Sequence, residues 1–186
     1  GYISLSQIST KMDMLSGPEM YSMLKEMETN YPSTSMKIPA WIDPNNLNDV
    51  DWQDEVFRSA PMTGHSLSVS GGSETPKYSL SGNYLMHQGI IKNSDFNRAG
   101  IRANIEQQLG KRVTVGALIN ASRSSSSSAS VNQMNGSDGG GVTFCALGFS
   151  PLVPVYDENG KFSGPLMDGA QMNNPAALIN DQIVDK

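Results

Sequence analysis

Acid chemistry is the first possibility the sequence offers. Asp51, Asp54 and Glu55 lie close together, and paired carboxylates run acid–base catalysis when their surroundings push their pKa values apart. Nothing in the stretch supplies that asymmetry, so a solvated helix face with Arg58 as partner is the simpler reading. His65 and His87 stand at strand ends with no nucleophile motif beside them. Cys145 is the single cysteine, which excludes an intrachain disulfide and a cysteine-based zinc site. Its neighbours Phe144 and Ala146-Leu147 mark it as a small buried apolar residue. Asp157-Glu158-Asn159 offers oxygen ligands, but without the alternating ligands and closing glutamate of a calcium loop. With Asn159-Gly160 it reads instead as the tip of a hairpin between Val153 and Phe162. The chain is therefore expected to be no enzyme, and to use no metal and no cofactor.

The elements that must position these residues are strands. His65 to Gly71 and Tyr78 to Met86 alternate with a period of two around the tight segment 72–76. Leu67 and Val69 share one face, and Ser66, Ser68 and Ser70 the other; Tyr78, Leu80, Gly82, Tyr84 and Met86 oppose Ser79, Ser81, Asn83 and His87, with Leu85 an exception. Asn97 to Glu106 and Arg112 to Ser122 repeat the pattern, and Tyr2 to Ile8 follows it loosely. One helix is signalled by Ser16 as cap, Pro18 and Glu19 in the first turn, then Met20, Leu24 and Met27, before Tyr31-Pro32 ends it. A second, shorter one begins at Asp51 as cap, with Trp52, Val56 and Phe57 as its apolar side. The serine run Ser124 to Ser128 and the glycine run Gly139 to Gly141 are expected to enclose a flexible polar segment.

Composition narrows the class. The 186 residues carry a net charge of −5 with scattered basic residues, which gives no footprint for nucleic acid or for an anionic-lipid patch. The hydrophobic fraction is 38%, low for an ordinary soluble globule, and Ser, Asn and Gly fill the deficit in regular positions. No run reaches the length of a membrane-spanning helix, whereas each long strand matches the ~9–11 residues that cross a bilayer as tilted β-structure. Connections alternate: 13–63 is long, 72–76 short, 88–96 intermediate, 107–111 short, and everything after Arg123 long. That alternation fits a transmembrane barrel with short periplasmic turns and long outer loops, an apolar face toward lipid and a serine-rich face toward a wet lumen. A soluble antiparallel β domain that binds carbohydrate or protein remains the alternative, since a sandwich alternates too.

Three stretches carry a family resemblance. The run Asp51-Trp52-Gln53-Asp54-Glu55-Val56-Phe57-Arg58, the turn Leu67 to Glu74, and Gly89-Ile90-Ile91 followed by Ser94-Asp95-Phe96 and Arg98 resemble the early barrel of the SusC/RagA family of TonB-linked outer-membrane transporters. The Met-rich loop helix, the Pro154 to Gly160 hairpin and Asn174-Pro175 extend the resemblance over almost the whole chain. It implies an all-β fold with one or two short loop helices, about five strands of an antiparallel transmembrane barrel, in the outer membrane of a Gram-negative bacterium. Residues 1–123 would be the first strands with a helical loop at about 13–63, and 124–186 a serine/glycine-rich segment and loop hairpin leading to the next strands. The implied activity is import of oligosaccharides, or of peptides and other large nutrients, with a SusD-like surface lipoprotein and the TonB complex as partners. Trp41, Trp52, Tyr31 and Tyr156 then become candidates for stacking on sugar rings or meeting the lipoprotein; packing of loops or a place at the membrane interface is the plainer role for each. No TonB box or plug is recognisable, so the chain is expected to be an excerpt of something longer. Asn120 and Asn135 head Asn-x-Ser sequences, which in a bacterial protein are given no role.

Overall fold

A computed structural model describes residues 1–33, 37–73, 76–129, 141–167, 170 and 172–180, with the backbone of 182–185. Among these residues six strands form one antiparallel sheet in chain order: β1 (Tyr2–Ser6), β2 (Ala60–Gly72), β3 (Lys77–Gln88), β4 (Asp95–Leu109), β5 (Val113–Ala129) and β6 (Gln182–Asp185). The register runs unbroken from Met62↔His87 to Gly72↔Lys77, and from Asp95↔Ser127 to Leu109↔Val113. The expected all-β class with loop helices is what the chain adopts. Strands β2 to β5 each extend beyond the alternation that suggested them, because backbone pairing continues past the point where the two faces differ in polarity, whereas β1 stops at Ser6, short of the expected Ile8.

The serine run is the main correction. Ser124 to Ser128 is not a flexible segment but the last part of β5, paired to β4 at Arg98↔Ser124 through Asp95↔Ser127 and to β6 at Ser126↔Asp185. Serine is a poor strand former on its own, and here two flanking strands supply the hydrogen bonds that override it. Of the segment that was expected to follow, 130–140 lies outside the described residues. The hairpin expected at 153–162 is a tight turn with a single bridge, Tyr156↔Phe162. The Asp157 carboxylate accepts from the Asn159 and Lys161 N–H groups at 2.9 and 2.8 Å, and Gly160 takes φ 75°.

All long connections leave from one end of the sheet. The 7–59 and 130–181 connections and the intermediate 89–94 turn join strands there, whereas 73–76 and 110–112 are the tight turns at the other end. Among the described residues four helices occupy the loop end: α1 (Gly17–Asn30), α2 (Trp52–Val56), α3 (Val142–Gly148) and α4 (Pro175–Asn180). The first two were legible. In α1 the Glu19 carboxylate accepts from the Ser16 N–H at 2.9 Å and from its hydroxyl at 2.7 Å, and in α2 the Asp51 carboxylate accepts from the N–H groups of Gln53 and Asp54.

The apolar core lies in these loops rather than on the sheet. Trp52, Val56, Val142, Ala146, Phe149, Val153, Ala176 and Ile179 form one buried cluster, closed against the sheet by Ala129. Trp52 meets the Phe149 ring edge-on at 4.9 Å and 75°, and its indole N–H donates to the Ser150 carbonyl at 3.0 Å. Gln53, also buried, ties the preceding loop to α2 by exchanging hydrogen bonds with the backbone of Met12. Gly17 is required by close approach, since a side chain there would run into the Asn48 carbonyl.

Candidate functional site

The sheet presents two unlike surfaces. Ile3, Leu5, Leu67, Val69, Tyr78, Leu80, Tyr84, Ile101, Ile105, Leu109, Val113, Val115 and Ile119 share one face by register, and all are exposed. The opposite face carries Ser66, Ser68, Ser70, Ser79, Ser81, Asn83, Arg98, Arg102, Asn104, Asn120 and Ser122, with Leu85 and Leu118 as apolar exceptions amid them and Tyr2, Met62 and Phe96 toward the loop end. On β4 the apolar face runs from Ala99 to Leu109. Ten residue steps at ~3.4 Å span about 34 Å, or about 26 Å when tilted by about 40°, close to the ~25 Å apolar band of an outer-membrane barrel.

The band also crosses the hydrogen-bond rows obliquely. On β5 it ends at Ala121, in the row of Ile101, Gly82 and Leu67. On β1, Ile3 and Leu5 lie opposite Thr63 and Pro61, four and six residues nearer the loop end of β2 than Leu67. A band that climbs the register from strand to strand is level only if the strands are inclined to its plane, which is the stagger of a closing barrel. No helix among the described residues is long and apolar enough to cross a membrane.

Above this wall the loops form a cleft of about 690 Å³ between the 41–48 and 152–165 segments. Trp41 and Tyr156 both line it, 55% and 54% exposed, beside Asp43, Asn46, Asp157 and Glu158. Two of the four aromatic candidates are thus brought together across 115 residues of sequence. Tyr156 is held by Phe162, stacked at 5.0 Å and 29°. The fully buried hydroxyl of Ser163, on the cleft wall, has no hydrogen-bond partner among the described residues. Asn174, buried at the start of α4, braces this wall: its amide donates to the carbonyls of Val155 and Ser163, both at 3.1 Å, while its oxygen accepts from Ala176 N–H. Exposed aromatic rings with carboxylates and amides at their edges can stack on a sugar ring and hydrogen-bond its hydroxyls. Asp43 and Asn46 gave no signal in sequence, because their Pro/Asn-rich loop has no period.

The other candidates fall elsewhere. Trp52 is 3% exposed in the loop core, so its ring faces are covered by protein and it is a packing residue rather than a surface for stacking. Tyr31 is 68% exposed at the end of α1 and does not line the cleft. His65 lies on the apolar face and His87 on the polar face. Arg58 does not pair with the carboxylates of α2, as expected, but with Asp95 at 2.9 Å, while also donating to the carbonyls of Gly89 and Ser94. The carboxylates Asp51 and Asp54 are instead met by Lys11. Burial acts to raise the Asp51 pKa, but bonds from Lys11 and from the Asp54 and Gln53 N–H groups outweigh it and hold the carboxyl below its usual value. Cys145 is fully buried, and burial pushes its thiol up.

No family model matches the chain. It is similar to TonB-dependent receptor P3 of Formosa agariphila, 29% identical over 98% of this chain and 17% of the receptor. It is also similar to TonB-dependent receptor SusC of Bacteroides thetaiotaomicron, 32% identical over 56% of this chain and 10% of that protein. The chain therefore spans less than a fifth of the length of these relatives. Among solved structures, the RagAB peptide importer in its closed-closed state matches 94% of this chain and 23% of its own, with a TM-score of 0.66 at 21% identity. Sequence and fold agree over nearly the whole length, and the chain is a SusC/RagA-type segment of a TonB-dependent receptor.

Proposed function

We propose that the segment builds part of the wall and outer vestibule of an importer in the outer membrane of a Gram-negative bacterium. The intact receptor takes up oligosaccharides, or other large nutrients such as peptides, with a SusD-like lipoprotein over its outer face and the TonB complex supplying energy from the periplasm. The carrying observation is the sheet itself: an exposed apolar face of bilayer height, a serine- and asparagine-lined opposite face, and every long loop at one end. In this reading 1–123 supplies the first wall strands and 124–186 the loop structure leading onward. Trp41 and Tyr156 contact the nutrient or the lipoprotein at the rim, and no residue is catalytic.

The alternative is a soluble β domain that binds carbohydrate or protein. Such a domain would pack a second layer on its apolar face, and among the described residues that face is bare. Fractionating cells that express the intact receptor tests the two: recovery with the outer membrane is expected, and recovery in the soluble periplasm would sink the importer. In the same cells, Trp41→Ala combined with Tyr156→Ala should reduce oligosaccharide binding without reducing surface display. Unchanged binding of every nutrient supported by the wild type would remove these two residues from the site.

A further inference from the structure

The apolar wall is not smooth. A depression of about 610 Å³ opens on its outward face, spanning four strands where the band meets the loop end. Its floor is Gly82, Ala99 and Ala121, and Leu67, Tyr84 and Ile101 rise around them. At Gly82 an added Cβ would meet nothing nearer than the Gly100 carbonyl at 3.9 Å, so the floor is open space rather than packed backbone. In the next row toward the loops stand His65 and Arg123, three strands apart. Arg123 is the only cation on this face among the described strand residues. Asp95, the other charged residue there, is already satisfied by Arg58, and no described carboxylate pairs with Arg123.

An arginine at the edge of an apolar band extends its head group to the interface, where the anions within reach are lipid phosphates. We propose that this notch seats an acyl chain of a phosphorylated outer-leaflet lipid, with the Arg123 guanidinium paired to the lipid phosphate. The inference rests on the outer-membrane reading, which places this row at the level of the outer head groups. Charge and shape agree on the occupant. The depression is apolar where the chain lies, and its one cation is at the rim where the phosphate lies, with the forked N–H groups suited to phosphate oxygens. Tyr84 beside it fits the interfacial position aromatic rings prefer.

The test uses the intact receptor, purified from the outer membrane in mild detergent. Native mass spectrometry would count molecules of added monophosphorylated lipid A, or of its phosphate-free counterpart, retained per receptor. The wild type is expected to prefer the phosphorylated form by about tenfold or more, the scale of a hydrogen-bonded charge pair. Arg123→Gln should abolish the preference, Gly82→Leu should lower retention of both lipids by filling the notch, and Arg102→Gln, on the inner face, should change neither. Equal retention of the two lipids by the wild type would overturn the proposal, as would an Arg123→Gln receptor with its preference intact. So would a receptor dimer that Gly82→Leu dissociates without altering lipid retention, since the notch would then seat a second copy. A receptor that fails to fractionate with the outer membrane refutes the underlying reading, whereas a membrane-resident receptor with no phosphate preference refutes this inference alone.

Discussion

Trp52 and Trp41 should respond to the same substitution in opposite ways. Trp52→Ala removes a ring that is 3% exposed, breaks the bond from its indole N–H to the Ser150 carbonyl at 3.0 Å, and leaves Phe149 without its edge-on partner. A buried tryptophan cut to alanine costs about 3–5 kcal/mol, which raises the opening equilibrium of the loop core by about two to four orders of magnitude. Hydrogen exchange on the intact receptor reads this directly at the amides of Phe57, bonded to Gln53 O at 2.9 Å, and Arg58, bonded to Ile90 O at 2.8 Å. Trp52→Phe keeps the ring contact but strands the Ser150 carbonyl, for an intermediate loss of about 1–3 kcal/mol. Trp41→Ala, at a residue 55% exposed, should move the same amides by no more than about 0.5 kcal/mol while weakening nutrient binding. A change under about tenfold for Trp52→Ala, or a larger one for Trp41→Ala, would refute the division between packing and contact aromatics.

Three further outcomes follow from the same loop packing. Asp51 has its carboxyl held below the unfolded value, so its stabilisation of α2 is complete above about pH 4 and fades as pH falls through the lowered folded value; Asp51→Ala, which removes the cap, should cost about 1 kcal/mol at neutral pH and flatten the acid limb of the loop's exchange-versus-pH curve. Arg58→Met should release the 89–95 turn, since the Gly89 carbonyl and the Asp95 carboxylate lose the Arg58 donor and the Ser94 carbonyl keeps only the Gly89 N–H; a loss of about 2 kcal/mol is expected in the protection of those amides, and a change confined to α2 would contradict the assigned partners. Cys145, buried with its thiol pushed up by that burial, should react with a maleimide only as fast as the loop core opens; labelling of the native receptor at the rate of an exposed thiol would contradict the described core.

The strands were legible because lipid and water ask for different residues on alternate positions. Val113 to Ile119 against Thr114 to Asn120 needs no neighbour to be recognised. Ser124 to Ser128 was not legible for the same reason: beyond Ala121 the strand leaves the apolar band, both faces meet polar surroundings, and only pairing with β4 and β6 keeps it extended. The caps at Ser16 and Asp51 could be read because a cap is settled within three residues, whereas α3 and α4 take their shape from a core assembled by loops more than 80 residues apart in sequence. The cleft shows the limit most clearly. Trp41 was visible as a ring on a loop, but its pairing with Tyr156 depends on Asn48 reaching the Leu152 carbonyl at 3.2 Å and on Val50 N–H reaching the Pro151 carbonyl at 3.0 Å. Those bonds cross about a hundred residues and follow no period, so the sequence shows a wall at once and its vestibule only after folding. Loops placed this way can change their rim residues while the α2 anchor and the Arg58 clamp stay fixed.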